Sequence, residues 1–130
     1  GGKYVAPQPI ENTFKESFLV EQMMVIGDAK KFVSALIVPS FQHLKSWCDQ
    51  HQVPFVSNTE VLKNPKIIAR YQELVNDKNK HLGHTEQIKR FHLVPEEWTV
   101  QGGQLTPTMK LKRKVIVERY KSLIEEMYFD

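Results

Sequence analysis

Phe18-Leu19-Val20-Glu21-Gln22-Met23-Met24-Val25-Ile26-Gly27-Asp28-Ala29-Lys30-Lys31-Phe32-Val33-Ser34-Ala35-Leu36-Ile37-Val38 is the stretch that decides the fold. Two apolar runs rich in β-branched residues, 18–26 and 32–38, flank the turn signal Gly27-Asp28-Ala29-Lys30, a pattern that predicts an antiparallel hairpin. Both runs are too continuous to leave one face wet throughout. The sheet they begin is therefore expected to be covered on much of both sides.

Upstream, Pro7-Gln8-Pro9 stiffens the approach to a short helix, with Pro9 suited to its first turn and Ile10 and Phe14 one turn apart on a shared face. Downstream, Pro39-Ser40 closes the second strand, and Ser40 is a good N-cap for a helix over 41–50 carrying Phe41, Leu44, Trp47 and Cys48 on one stripe. Asn64-Pro65 supplies a cap followed by proline at the first helical position. The helix after it carries Ile67, Ile68, Tyr71, Leu74, Val75 and Lys78 at helical spacing. Lys78, Lys80 and His81 suit its negative end, and Gly83 suits the residue past it. Residues 88–94 read as a third strand. Residues 98–100 and 104–106, joined through Gly102-Gly103, read as a small hairpin. A last helix over 113–128 buries Ile116, Tyr120, Leu123, Ile124 and Met127. Strands and helices mix here without repeated strand–helix–strand crossovers. The expected class is α+β: a small, mainly antiparallel three-stranded sheet flanked by helices, with a short hairpin before the C-terminal helix.

A chain of 130 residues is one domain by length and can bury a core. With 41% hydrophobic and 25% charged residues it belongs with globular rather than disordered chains. No run approaches the roughly 18 apolar residues that span a bilayer, and Gly1-Gly2-Lys3-Tyr4 leads into a mixed polar segment unlike a secretory signal. The single cysteine, Cys48, excludes an internal disulfide and fits a reducing compartment; its neighbours Leu44 and Trp47 mark it as a small core residue. The net charge of +3 suits partners that carry phosphate or carboxylate. Lys110, Lys112, Arg113, Lys114, Arg119 and Lys121 crowd the last quarter, a pattern that a solvated helix face would produce equally well. Gly102-Gly103 lacks the spacing of a phosphate loop. His81 and His84 have no carboxylate or thiol pattern beside them, so no metal site is expected. No Ser/His/Asp arrangement is legible, and Cys48 has no basic partner. A self-contained enzyme is not expected. A nucleic-acid-binding module is a rival reading of the basic cluster, although no such motif is present and no aromatics interleave with it.

Two stretches carry more chemistry. Leu105-Thr106-Pro107-Thr108-Met109-Lys110-Leu111-Lys112-Arg113 delivers a long cation from a Thr/Pro-stiffened loop just before a helix. Gly1-Gly2-Lys3-Tyr4-Val5-Ala6-Pro7-Gln8-Pro9-Ile10-Glu11 lies at the opposite end. Together they resemble the two signature loops of the small C-terminal domain of adenylate-forming enzymes, in particular the long-chain fatty-acid–CoA ligases. The resemblance covers nearly the whole chain. It implies that Lys110 takes the place of the family's catalytic lysine and Arg113 the place of its arginine. Met109 stands where a glycine commonly precedes the lysine, and Lys112 remains a rival for the role. Lys112 and Arg113 are otherwise supporting residues. Gly1, Gly2, Lys3 and Tyr4 are implied to border the channel for the pantetheine arm of CoA, where glycine lets a thin thiol arm pass close to main chain. By themselves Gly1-Gly2 fit a frayed terminus as well.

The resemblance also implies that residues 1–130 are the mobile lid domain of a larger ligase. Its large N-terminal AMP-binding domain would precede Gly1 and hold ATP, Mg²⁺ and the fatty acid, with CoA as second substrate. The partners implied are that domain and the substrates, with no nucleic acid; the fragment alone is expected to be inactive. The implied location is cytoplasmic, with peripheral membrane contact of the whole enzyme left open. Rivals within the superfamily act on another acid or deliver to a carrier-protein thiol. The chemistry explains the need for a lysine. A carboxylate attacking the α-phosphorus of ATP brings two anions together, and a compact ammonium on a flexible stem can touch both.

Overall fold

The structure is a computed structural model, and it describes residues 5–129. The chain forms helix α1 (Pro7–Lys15), strands β1 (Val20–Ile26) and β2 (Val33–Pro39), and helices α2 (Phe41–Gln50), α3 (Asn58–Val61) and α4 (Pro65–Asn79). A 3₁₀ turn, strand β3 (Ile88–Leu93), and helices α5 (Arg113–Arg119) and α6 (Lys121–Tyr128) complete it. The strands line up in the order β1-β2-β3.

The expected hairpin is present: β1 runs antiparallel to β2, with Met23 opposite Ile37 and Val25 opposite Ala35. The Lys30 amide closes the turn on the Gly27 carbonyl at 3.1 Å. β1 begins at Val20, and Phe18 lies before it, exposed. β3 pairs with the other edge of β2 in parallel, Ala35 facing Phe91 and Ile37 facing Leu93. The sheet is therefore mixed, which corrects the mainly antiparallel expectation. Three helices separate β2 from β3. A connection of that length can return the chain so that it re-enters in the same direction, as a parallel pair requires. The periodicity that reveals a strand carries no direction.

Both faces of the sheet are covered, as expected. Met23, Val25, Ala35 and Ile37 pack on Ile10 and Phe14 of α1, Leu44 and Cys48 of α2, and Ile67, Tyr71 and Val75 of α4. The alternate residues Met24, Ile26, Leu36 and Val38 pack on Trp98, Leu105, Ile116, Tyr120, Ile124 and Met127. Period-two alternation in the strands thus feeds two separate cores.

Local signals fare unevenly. The Asn64 side chain caps α4 by accepting from the Lys66 amide at 2.9 Å, with Pro65 first in the helix. Ile68, expected on its buried stripe, is exposed. Gly83 takes an extended conformation (φ −61°, ψ 154°) rather than closing α4 in the left-handed region. Ser40 precedes α2 in an extended conformation, but its hydroxyl pairs with the His43 ring at 2.8 Å and caps no amide. The small hairpin over 98–106 is absent. The Thr99 carbonyl accepts from both the Gln104 and Leu105 amides at 3.2 Å, closing a turn too tight to carry a ladder. Trp98 finds its partner instead in the Gln22 side chain, whose amide accepts from the Trp98 N–H at 2.7 Å and donates to its carbonyl at 2.8 Å. The last helix divides at Tyr120, whose backbone leaves helical values (φ −106°, ψ 24°). There the phenol accepts from the Trp98 indole at 3.0 Å and donates to Glu96 at 2.6 Å.

Candidate functional site

Leu105 and Leu111 form an isolated antiparallel bridge, and the Lys112 amide donates to the Gln104 carbonyl at 2.8 Å. The five residues between are forced into a tight reversal. The Thr106 amide donates to the Lys110 carbonyl at 2.8 Å, and the Thr106 carbonyl accepts from the Met109 amide at 2.7 Å. Pro107 takes the second place of that turn, where its fixed φ is favourable. The Thr106 hydroxyl accepts from the Lys110 amide at 3.0 Å and pairs with Thr108 at 3.1 Å. A three-residue hairpin loop of this kind commonly puts its third residue in the left-handed region, and Met109 is there, at φ 69°. The departure from the glycine that the resemblance implies therefore falls at the left-handed position of this loop, where a Cβ is strained and glycine is not.

Lys110 follows directly. Its backbone is fixed at both N–H and C=O, while its side chain is exposed and makes no ion pair among the described residues. A charged group on a four-carbon stem is thus presented from a pinned base. Lys110 borders an open cleft of about 440 Å³ together with Met109, Arg113, Glu11, Gln8 and Glu97, and Lys112 does not line it. The Lys112 side chain is exposed at the start of α5, and its backbone is taken up in the Gln104 contact.

Arg113 is not a spare cation. Its two terminal nitrogens donate to the two oxygens of Glu11, each at 2.7 Å, and Glu11 Oε2 also accepts from the Val25 amide at 2.8 Å. Glu11 is the last residue of the N-terminal stretch quoted above. The structure therefore joins the two signature stretches at a single buried carboxylate. Sequence reasoning identified Glu11 only as the end of a motif. A signal was available: Ile10, Glu11 and Phe14 share one helical stripe, and a carboxylate on an apolar stripe calls for a partner. Gly1, Gly2, Lys3 and Tyr4, read as the pantetheine loop, lie outside the described residues.

Other candidates have simpler roles. Cys48 is buried, and that burial, with the Asp49 charge added, pushes its thiol up, away from nucleophilic use. Burial pulls His92 down, and Glu126 opposes the shift. Arg119 pairs with Glu96 at 3.6 Å. Among the described residues no three His, Cys, Asp or Glu side chains gather in a way that could hold a metal ion. No helix of the described residues is long and apolar enough to cross a membrane.

All of residues 1–130 match the family model described as AMP-binding enzyme C-terminal domain. The chain is 36% identical over 129 residues to the long-chain-fatty-acid–CoA ligase FadD15 of Mycobacterium tuberculosis, a match covering 98% of this chain and 22% of that protein. It is 34% identical over 134 residues to long-chain-fatty-acid–CoA ligase 6 of Homo sapiens, covering 98% of this chain and 18% of that one. Among solved structures, the adenylation domain of the carboxylate reductase from Mycobacterium chelonae overlays with a TM-score of 0.72 at 25% identity, covering 99% of this chain and 18% of that chain. The chain thus spans between 18% and 22% of the length of these curated relatives.

Proposed function

The chain belongs to the AMP-binding enzyme C-terminal domain family, and from that premise we propose that it is the mobile small domain of a long-chain fatty-acid–CoA ligase. The observation that carries the reading is the Lys110 ammonium, without an ion pair among the described residues and bordering a cleft on a loop whose backbone is fixed on both sides. The names of the curated relatives support the fatty-acid substrate and CoA as acceptor.

In the first half-reaction a carboxylate oxygen bonds to the α-phosphorus of ATP, and the bond from that phosphorus to pyrophosphate breaks. Negative charge gathers on the phosphoryl oxygens while the carboxylate approaches. Lys110 serves both anions at once, since its ammonium is compact and its stem flexible. Its site lies on a small domain and the nucleotide on another, so rotation of the small domain assembles and then dismantles the adenylation site. In the second half-reaction the CoA sulfur bonds to the acyl carbon and AMP departs. The segment Gly1, Gly2, Lys3 and Tyr4 borders the path of the thiol arm in this reading. ATP and Mg²⁺ are held by the preceding domain.

The test is a separation of half-reactions in the full-length enzyme. Lys110→Ala lowers adenylate formation by about 10²–10³-fold, as for loss of one preorganised donor. It leaves thioester formation from supplied acyl adenylate nearly intact. Equal loss of both would contradict the assignment. The likeness to a carboxylate reductase supports a second reading, activation of an acid for an acceptor other than CoA. An acceptor assay with CoA against a carrier-protein thiol separates the two.

A further inference from the structure

We infer that Glu11 is a positioning residue for Lys110, acting through Arg113; this rests on the reading of Lys110 given above. Glu11 is only 3% exposed, on the same helix face as buried Ile10 and Phe14. A carboxylate in such surroundings is costly unless its oxygens are satisfied. Both are: Oε1 accepts from Arg113 Nη2 at 2.7 Å, and Oε2 accepts from Nη1 at 2.7 Å and from the Val25 amide at 2.8 Å. The planar fork meets the carboxylate in a two-point contact, which fixes direction as well as distance.

The contact sets where the lysine loop stands. Arg113 is the first residue of α5 and follows Lys110 by three positions. The loop between the Leu105–Leu111 bridge and its tip contains Met109 in a left-handed conformation that a free segment would leave. It keeps its shape because both of its stems are held. One stem leads back to Gln104 and Trp98, which the Gln22 side chain ties to β1. The other leads into Arg113, which Glu11 ties to α1 and, through the Val25 amide, to the same strand. Glu11 thus registers the lysine loop against the sheet and against the helix that follows the N-terminal glycines.

The two partners are unequally buried: the Arg113 side chain is 38% exposed and that of Glu11 is 4% exposed. Loss of the carboxylate charge therefore loosens a half-exposed guanidinium instead of stranding a buried one. Glu11→Gln suits the test, because its amide oxygen can still accept from Val25 while its NH₂ opposes the guanidinium. The two-point clasp falls to one point, the charge is lost, and the helix–strand contact remains.

In the full-length enzyme, Glu11→Gln lowers kcat for fatty-acid-dependent adenylate formation by about 10- to 10²-fold, the size expected when a reacting group is misplaced by about 1 Å. KM for ATP stays within about twofold, since a misplaced lysine weakens transition-state contacts and spares ground-state binding. In a Lys110→Ala background the same substitution causes no further loss, because nothing is left to position. An equal loss in both backgrounds would show general damage and overturn the inference, as would an unchanged kcat. Arg113→Lys, which keeps the charge and loses the fork, repeats the pattern. A loss from Arg113→Lys that persists without Lys110 would place the guanidinium on the substrate and also overturn it. Full adenylation by Lys110→Ala alone would instead remove the reading of Lys110 on which this rests.

Discussion

Met109 carries its side chain at φ 69°, a region that L residues without a short polar side chain seldom enter. The strain is imposed from outside the residue. The Leu105–Leu111 bridge and the Lys112-to-Gln104 hydrogen bond leave room for only a short reversal. Met109→Gly should relieve about 1 kcal/mol of that strain, offset in part by the greater freedom of glycine in the unfolded chain. Met109→Val, with a branched Cβ in the same place, should lower stability by about 1–3 kcal/mol. Denaturant midpoints of the two variants, compared with the parent, check the order. Some residue-level facts were legible beforehand. Cys48 among apolar neighbours reads as core and is buried, and the Thr/Pro-stiffened loop before α5 reads as a lysine mount. The bidentate grip of Glu11 was not legible, because its partner stands 102 positions away in the chain.

Elements with strong local signals formed where the sequence placed them. Gly27-Asp28 marks the β1–β2 turn, and Asn64-Pro65 marks the start of α4 through a cap that is present at 2.9 Å. Elements decided by distant partners did not. The segment after β3 would need its own strand pairing to make a hairpin, but Gln22, 76 residues earlier, supplies that pairing from a side chain. The break between α5 and α6 has the same origin, since Tyr120 answers to Trp98 and Glu96 beside the core on the second face of the sheet. Burial, followed by the hydrogen bond to Glu96, pushes the Tyr120 phenol up to about 12 from an ordinary 10.0. The folded state thus favours the protonated phenol relative to the unfolded chain. The stability this confers is complete below pH 10 and is lost as pH rises toward 12. Tyr120→Phe should lower stability at neutral pH, because Trp98 loses its acceptor, and should flatten this alkaline decline. Tyr71 and Tyr128 are also shifted upward, so part of the decline persists. Thermal melts of parent and variant between pH 8 and pH 12 measure both effects.

At the scale of the whole molecule, a three-stranded sheet separates two cores, with α1 against β1 at one edge and α6 beside β3 at the other. α1 packs on one face, and the C-terminal helices pack on the other. The Glu11–Arg113 pair closes the gap between them beside β1. This arrangement was partly visible in advance: two continuous apolar runs required cover on both faces. The parallel β3 was not visible, since its direction depends on the path of three intervening helices. The candidate site divides the same way. The lysine could be picked out from its loop, whereas the fold alone shows that Lys110 borders the cleft and Lys112 does not. That difference makes the central claim open to a direct measurement, ATP–pyrophosphate exchange driven by a long-chain fatty acid in the full-length enzyme. Lys110→Ala should lower exchange by about 10²-fold or more, while Lys112→Ala stays within about threefold of the parent, as an exposed charge outside the cleft should. The reverse order, or an equal fall in both, would contradict the account.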